Sequence, residues 1–274
     1  MHIKLVLFIF ALFCAQSFAQ TTSSSSKRES LFEAGAGAVY ASVPHYPGSD
    51  QSNALLVPFP TVIYRGDKYR VDEDGGARAR FFYTDMMELN LSIGGSLPVS
   101  TKDSKIRQGM PKLDTIVELG PGLIFHFFNK RNAKGFKLSL NIPVRQAISS
   151  DLKYTKARGQ VFNPLLYGFY DLNRHFTLVG GLSSMWASKE YTSYLYDVQD
   201  RFVTANRASY QSSAGQVVTN YSLAVVYSNK NLSLFTGSIF HDASRSSNKD
   251  SPLFVKSTNW SHAIGMTYFF YEIL

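Results

Sequence analysis

The strongest constraint in this chain is a period of two. Phe136, Leu138, Leu140, Ile142 and Val144 alternate with Lys137, Ser139, Asn141 and Arg145. On an extended strand this order makes one apolar face and one polar face. The pattern recurs. Leu89, Leu91 and Ile93 alternate with Glu88, Asn90 and Ser92. Phe176, Leu178, Gly180 and Leu182 face away from Thr177, Val179 and Gly181. Tyr221, Leu223, Val225 and Tyr227 alternate with Asn220, Ser222, Ala224 and Ser228. Fainter strands are expected at 32–42, 54–64, 77–83, 115–128, 160–171, 189–196, 231–241 and 260–271, which makes about twelve. Many approach the roughly 9–11 residues that a tilted strand needs to cross a bilayer. No segment shows a convincing helical period; 197–216 could hold a helical turn but lacks a strong apolar face.

Short turn signals separate some strands: Asn129 to Asn132, Asp171 to Arg174 and Ser228 to Asn231. Longer polar connections are expected at 98–114, 146–158, 197–216 and 242–259. Short turns at one rim and long loops at the other is the asymmetry of an outer-membrane barrel. Alternation alone also suits a soluble sandwich with its apolar face turned inward. Three features favour the membrane. The polar face of 136–145 carries groups suited to a wet interior. Aromatics crowd strand ends at Phe81 to Tyr83, Phe125 to Phe128 and Tyr268 to Tyr271, as interfacial girdles do. Closure also removes the edges that a sheet of this size would expose. The expected fold is all-β, an up-and-down antiparallel transmembrane barrel of about twelve strands. A mean hydropathy of -0.10 fits half of each strand facing lipid and half facing a polar interior.

The amino terminus sets the compartment. Lys4, an apolar run from Leu5 to Ala15 and Ser17-Phe18-Ala19 have the layout of a cleavable signal over residues 1–19. Phe13 before the single Cys14 disfavours lipid attachment there. Residues 20–30 read as a flexible polar leader, and 31–274 as one barrel domain.

Candidate chemistry is sparse. Tyr46-Pro47-Gly48-Ser49-Asp50 has turn composition, with Pro fixing φ and Gly free to take a positive one. Its alternative is a binding turn with His45 and Asp50 exposed at a rim. Asp250-Ser251-Pro252 reads as a strand-entry turn. A barrel hydrolase could draw on His241-Asp242 with Ser244, or on His262 near Ser261. Neighbours on a strand point to opposite faces, however, so Ser261 and His262 do not pair simply. There is no Gly-x-Ser-x-Gly elbow, phosphate loop, dinucleotide fingerprint or His-Glu-x-x-His pair, and neither catalytic residues, a cofactor nor a metal is expected. The basic excess behind the net charge of +8 is spread out, with local density in two expected loops, at Lys102, Lys105, Arg107 and Lys112 and again at Lys153, Lys156 and Arg158. These are either solvated loops or contacts for anionic lipopolysaccharide or peptidoglycan carboxylates. Export makes nucleic acid an improbable partner.

Gly35-Ala36-Gly37-Ala38-Val39-Tyr40, then Tyr46 to Asp50, Leu56-Val57-Pro58-Phe59-Pro60 and Tyr64-Arg65 resemble the opening of the MipA/OmpV family. Leu119 to Leu123, Asp250-Ser251-Pro252-Leu253 and Gly265 to Phe270 continue the resemblance in order. Family members usually end on a terminal Phe, and this chain runs four residues past Phe270. The 197–216 loop is only loosely like the Ala-rich family segment. The resemblance implies a barrel of roughly twelve strands in the outer membrane of a Gram-negative bacterium. One member is described as a scaffold joining a lytic murein transglycosylase to a penicillin-binding synthase; others are discussed as porin-like, or as adhesion and immunogenic proteins. The expected function is therefore a non-enzymatic scaffold for peptidoglycan remodelling, amid outer-membrane lipid and lipopolysaccharide. The alternatives are a porin-like channel for small polar solutes or a barrel lipid hydrolase.

Overall fold

The computed structural model describes residues 30–72, 76–96, 104–128, 135–151 and 154–274. The expected signal, the leader from 20 to 29, the turn at 129–132 and the cations Lys102 and Lys153 lie outside the described residues. The strand segments are β1 (Phe32–Pro44), β2 (Ser52–Arg65), β3 (Tyr69–Asp72), β4 (Gly76–Tyr83), β5 (Met87–Ser96), β6 (Thr115–Phe128) and β7 (Phe136–Ser150). They continue with β8 (Thr155–Phe162), β9 (Leu165–Asp171), β10 (Phe176–Ala187), β11 (Gly215–Asn229), β12 (Leu232–Asp242) and β13 (Thr258–Ile273). All pair antiparallel, and β1 closes on β13 from Phe32↔Ile273 to Ser42↔His262. β8 and β9 lie end to end between β7 and β10, broken at Asn163-Pro164, so the thirteen segments form a closed barrel of twelve strands. An even number is what lets first and last strands meet antiparallel.

Alternation sorts the side chains. Tyr40, Leu56, Leu223, Ile264, Met266, Tyr268 and Phe270 are exposed on the outer wall. Aromatic rings band it twice: Tyr221, Phe240 and Trp260 stack in a row towards the loop end, and Phe128, Phe136 and Tyr170 towards the turn end. Such bands mark the lipid–water boundaries of a barrel. Glu88, Asn90 and Asn141 are buried inside. The turns at 84–86, 172–175 and 230–231 share one rim with the chain ends, and the loops at 104–114, 188–214 and 243–257 share the other.

Three expectations change. Residues 189–196 form a helix, α1 (Lys189–Tyr196), instead of a strand. Its buried residues are Tyr191, Thr192, Leu195 and Tyr196, a spacing of four that belongs to a helix face. The loop expected at 146–158 shrinks, because β7 runs to Ser150 and β8 starts at Thr155. The short β3 is additional, and it meets β2 only at Tyr64↔Val71 and Arg65↔Arg70. Among the described residues, the far edge of β2 above Tyr64 therefore carries no strand. Pro58 and Pro60 lie farther along this edge, beyond the last β2–β3 pair. The β1–β2 ladder is unbroken through Ala38↔Pro58 and Ala36↔Pro60. Proline has no N–H, so both must occupy positions whose hydrogen-bonding side faces away from β1. The edge that β3 would continue along thus lacks two donors.

Candidate functional site

The interior is filled. At the loop rim, α1 drops into the barrel mouth, and Tyr191, Leu195 and Tyr196 pack with Tyr46, Leu113, Ile116, Ala147, Val161, Ala187, Val217, Val218 and Ala243. Tyr196 is 0% exposed. Farther in, Val39, Phe59, Val226 and Phe235 form a second apolar cluster. Glycines make room for its rings: a Cβ at Gly37 would lie 2.7 Å from the Phe59 ring, and one at Gly265 2.4 Å from that of Phe235.

The wall of β3–β7 is charged on its inner face. Arg78 sits between Asp72 and Glu88, with Nε 2.5 Å from the Glu88 carboxylate. Arg80 reaches the same carboxylate at 2.8 Å, and Asn90 donates to it at 3.1 Å. Arg145 lies 3.5 Å from Glu118 and donates to Ser92 Oγ at 2.7 Å. On β1 and β2, Arg65 pairs with Glu33 at 2.6 Å. Buried ions held this way are compensated by partner and hydrogen bond together.

The two motifs expected to be turns form one clamp. Tyr46-Pro47-Gly48-Ser49 is a type II turn, with Gly48 at φ 92 and Ser49 N–H donating to Tyr46 O at 3.0 Å. A side chain at Gly48 would strike the Phe254 ring at 2.4 Å. Tyr46 donates its hydroxyl to Leu253 O at 2.8 Å, and Val255 N–H donates to Gly48 O at 2.7 Å. Between them the motifs grip α1: Tyr196 donates to Pro47 O and Ser251 donates to Tyr196 O, each at 2.8 Å. Burial raises the Tyr46 hydroxyl to about 12 and that of Tyr196 further. Asp50 is exposed, but His45 is buried with Nε2 3.0 Å from Asn53 Oδ1, so the expected exposed pair does not form. Asp250 is exposed, Pro252 half-buried, and Phe270 is 65% exposed on the outer wall.

The hydrolase candidates separate. Asp242 accepts from Ser244 N–H at 2.9 Å, away from the His241 ring. His262 faces outward, stacked on Trp260 and 2.8 Å from Ser238 Oγ. Sequence order does not reveal what replaces them. Ser261, His241 and Asn220 join inside the barrel across β13, β12 and β11, with Oγ to Nε2 at 2.7 Å and Nδ1 to Oδ1 at 2.7 Å. Asn220 Nδ2 donates to Ser183 Oγ at 3.2 Å, which leaves Oδ1 to accept and makes His241 Nδ1 the donor. This is the order of nucleophile, base and orienting group. The backbone at Ser261, however, is paired in the β12–β13 ladder opposite Ile239. It is not freed at a sharp turn, so it does not offer the paired N–H donors that acyl transfer uses. The chain of hydrogen bonds serves to satisfy buried polar groups.

On the loop rim a cavity of 620 Å³ opens beside α1. Its lining brings the two basic sequence clusters together as Arg107, Lys112, Lys156 and Arg158, and adds Lys189 and Arg201. No group of three or more metal-ligating side chains occurs among the described residues.

Solved outer-membrane proteins of low identity align over most of the chain. The NanC porin is 11% identical, with 86% of this chain and 98% of that one covered at a TM-score of 0.41. The COG4313 outer membrane channel from Pseudomonas putida F1 is 9% identical, with 92% and 99% covered at 0.48. No curated protein matches significantly. Residues 34–270 match the family described as MltA-interacting protein MipA. The chain is an outer-membrane-type barrel, and it belongs to the MipA family.

Proposed function

We propose that this protein is a non-conducting barrel of the Gram-negative outer membrane that works as an interaction scaffold for murein-remodelling enzymes, without catalysis of its own. A cleaved signal over residues 1–19 exports it, and the polar leader to residue 30 precedes the single barrel domain. The observation that carries this reading is the filled interior. Tyr196 and Val217 at the mouth, Phe59 and Phe235 at the waist, and Glu88 and Thr267 deeper in are all at most 4% exposed. A channel for polar solutes keeps its inward side chains wet; these are dry. With the lumen closed, the surfaces left to act are the rims. The rim with the chain ends faces the periplasm in such barrels and presents Met86, 74% exposed, at the 84–86 turn. The family's description names an interaction with MltA, and a murein transglycosylase and a penicillin-binding synthase are the partners proposed here.

Purified protein in a planar bilayer is expected to give no conductance steps above background. Affinity purification from envelopes is expected to retain a murein transglycosylase or synthase. Stable steps would overturn the closed-barrel reading, and a clean pull-down without murein enzymes would overturn the scaffold.

A further inference from the structure

We propose that the 620 Å³ basin on the loop rim is a binding site for a phosphorylated saccharide. Its size lies within the roughly 300–1,000 Å³ of ligand sites. Six cations line it, Arg107, Lys112, Lys156, Arg158, Lys189 and Arg201, against the three carboxylates of Asp114, Glu190 and Asp197. Among the described residues Lys112 is the cation of the six that is ion-paired, 3.3 Å from Asp114. The arginines are held in place before any ligand arrives. The Arg158 guanidinium lies 3.7 Å from the centre of the Tyr194 ring, with its Nε donating to Ser149 Oγ at 2.7 Å. Arg201 lies 4.7 Å from the centre of the Phe202 ring.

Arg107 is fixed behind the wall. It is 4% exposed, donates to Leu195 O at 2.7 Å, and has a buried Nε with no hydrogen-bond partner. Held inward against Leu195 O and the Tyr46 ring, it adds a fixed positive charge behind the cavity wall, and the lysines, Arg158 and Arg201 make the direct contacts. Planar guanidinium forks suit the oxygens of phosphate, and lysines add point charges around them. A sugar skeleton that spaces two or more phosphates matches cations spread over 107–112, 156–158 and 189–201 better than a single small anion does. The inference rests on the reading that the loop rim faces outward, where such sugars occur either as lipid headgroups or free.

The test measures binding to full-length protein in detergent by calorimetry, with purified lipopolysaccharide, glucose 1,6-bisphosphate and inorganic phosphate as separate probes. Orientation in the membrane does not enter, so failure here is distinct from failure of the scaffold. Wild type is expected to bind at least one of the two sugars more tightly than inorganic phosphate, and more weakly as salt rises. K156Q/R158Q/K189Q is expected to raise Kd roughly tenfold or more. K68Q/R174Q/K230Q removes the same charge at the opposite rim and is expected to leave Kd unchanged. Preference for lipopolysaccharide places the source in the membrane, and preference for the bisphosphate places it in solution; either supports the site. Binding of neither sugar, or equal loss in both triple variants, overturns it.

Discussion

The plugged mouth and the charged wall are both buried, yet they are held by opposite means. The mouth is apolar and depends on distant loops: Tyr46 meets Leu253 across 207 residues of sequence. The wall of β3–β5 is ionic and local: Arg78 meets Asp72 and Glu88 within ten residues. A sheet already fixes neighbouring strands, so ion pairs between them need little further ordering. A cap built from loops has no such frame. It must secure itself by burying tyrosines and leucine, which gain by leaving water without having to be paired ion to ion.

The difference can be broken from either side. Replacing residues 189–196 with a short Gly-Ser linker together with Phe59→Ala and Phe235→Ala at the waist is expected to have the largest effect, turning a silent bilayer recording into one with discrete steps, whereas the linker alone leaves the waist cluster closed and the recording silent. On the wall, Arg78→Leu removes the cation shared by Asp72 and Glu88, leaving them to Arg70 at 3.3 Å and Arg80 at 2.8 Å, and is expected to cost about 3 kcal/mol in urea unfolding. Changing Asp72, Arg78, Arg80 and Glu88 together to apolar residues of similar volume, so that no buried partner of Glu88 is left charged, is expected to recover most of that loss. Alkali tells the halves apart. Tyr46 is raised from 10.0 to about 12, so its contribution is intact below pH 10 and fades between pH 10 and 12. Tyrosinate absorbance should therefore appear late, as the mouth loosens, while the guanidinium pairs of the wall remain charged. The smallest effect is expected from Tyr196→Phe, which keeps the packing and removes the bond to Pro47 O, at about 1 kcal/mol by the same unfolding assay.

Most of the barrel was legible because alternation is imposed locally, residue by residue. Glu88, Asn90, Asn141 and Arg145 could be assigned to the polar face before their partners were known. The plug was not legible, since Tyr191-Thr192-Ser193-Tyr194 has the composition of a strand. Only the Tyr191 to Leu195 spacing hints at a helix, and it becomes decisive through burial in the mouth. The turn motifs were recognised singly, but their joint hold on Tyr196 depends on contacts that sequence does not order. The same holds for Ser261, His241 and Asn220, drawn from three strands. The basic clusters were seen as loops; their convergence with Lys189 and Arg201 required α1 to be a helix.

Pro58 and Pro60 also bear on how these molecules meet one another. The edge of β2 above Tyr64 is the stretch of wall where a foreign strand could attach and extend the sheet. Two missing donors there deny an incoming strand two rungs of its ladder. In a crowded envelope, that edge gives one copy little to zip onto in the next.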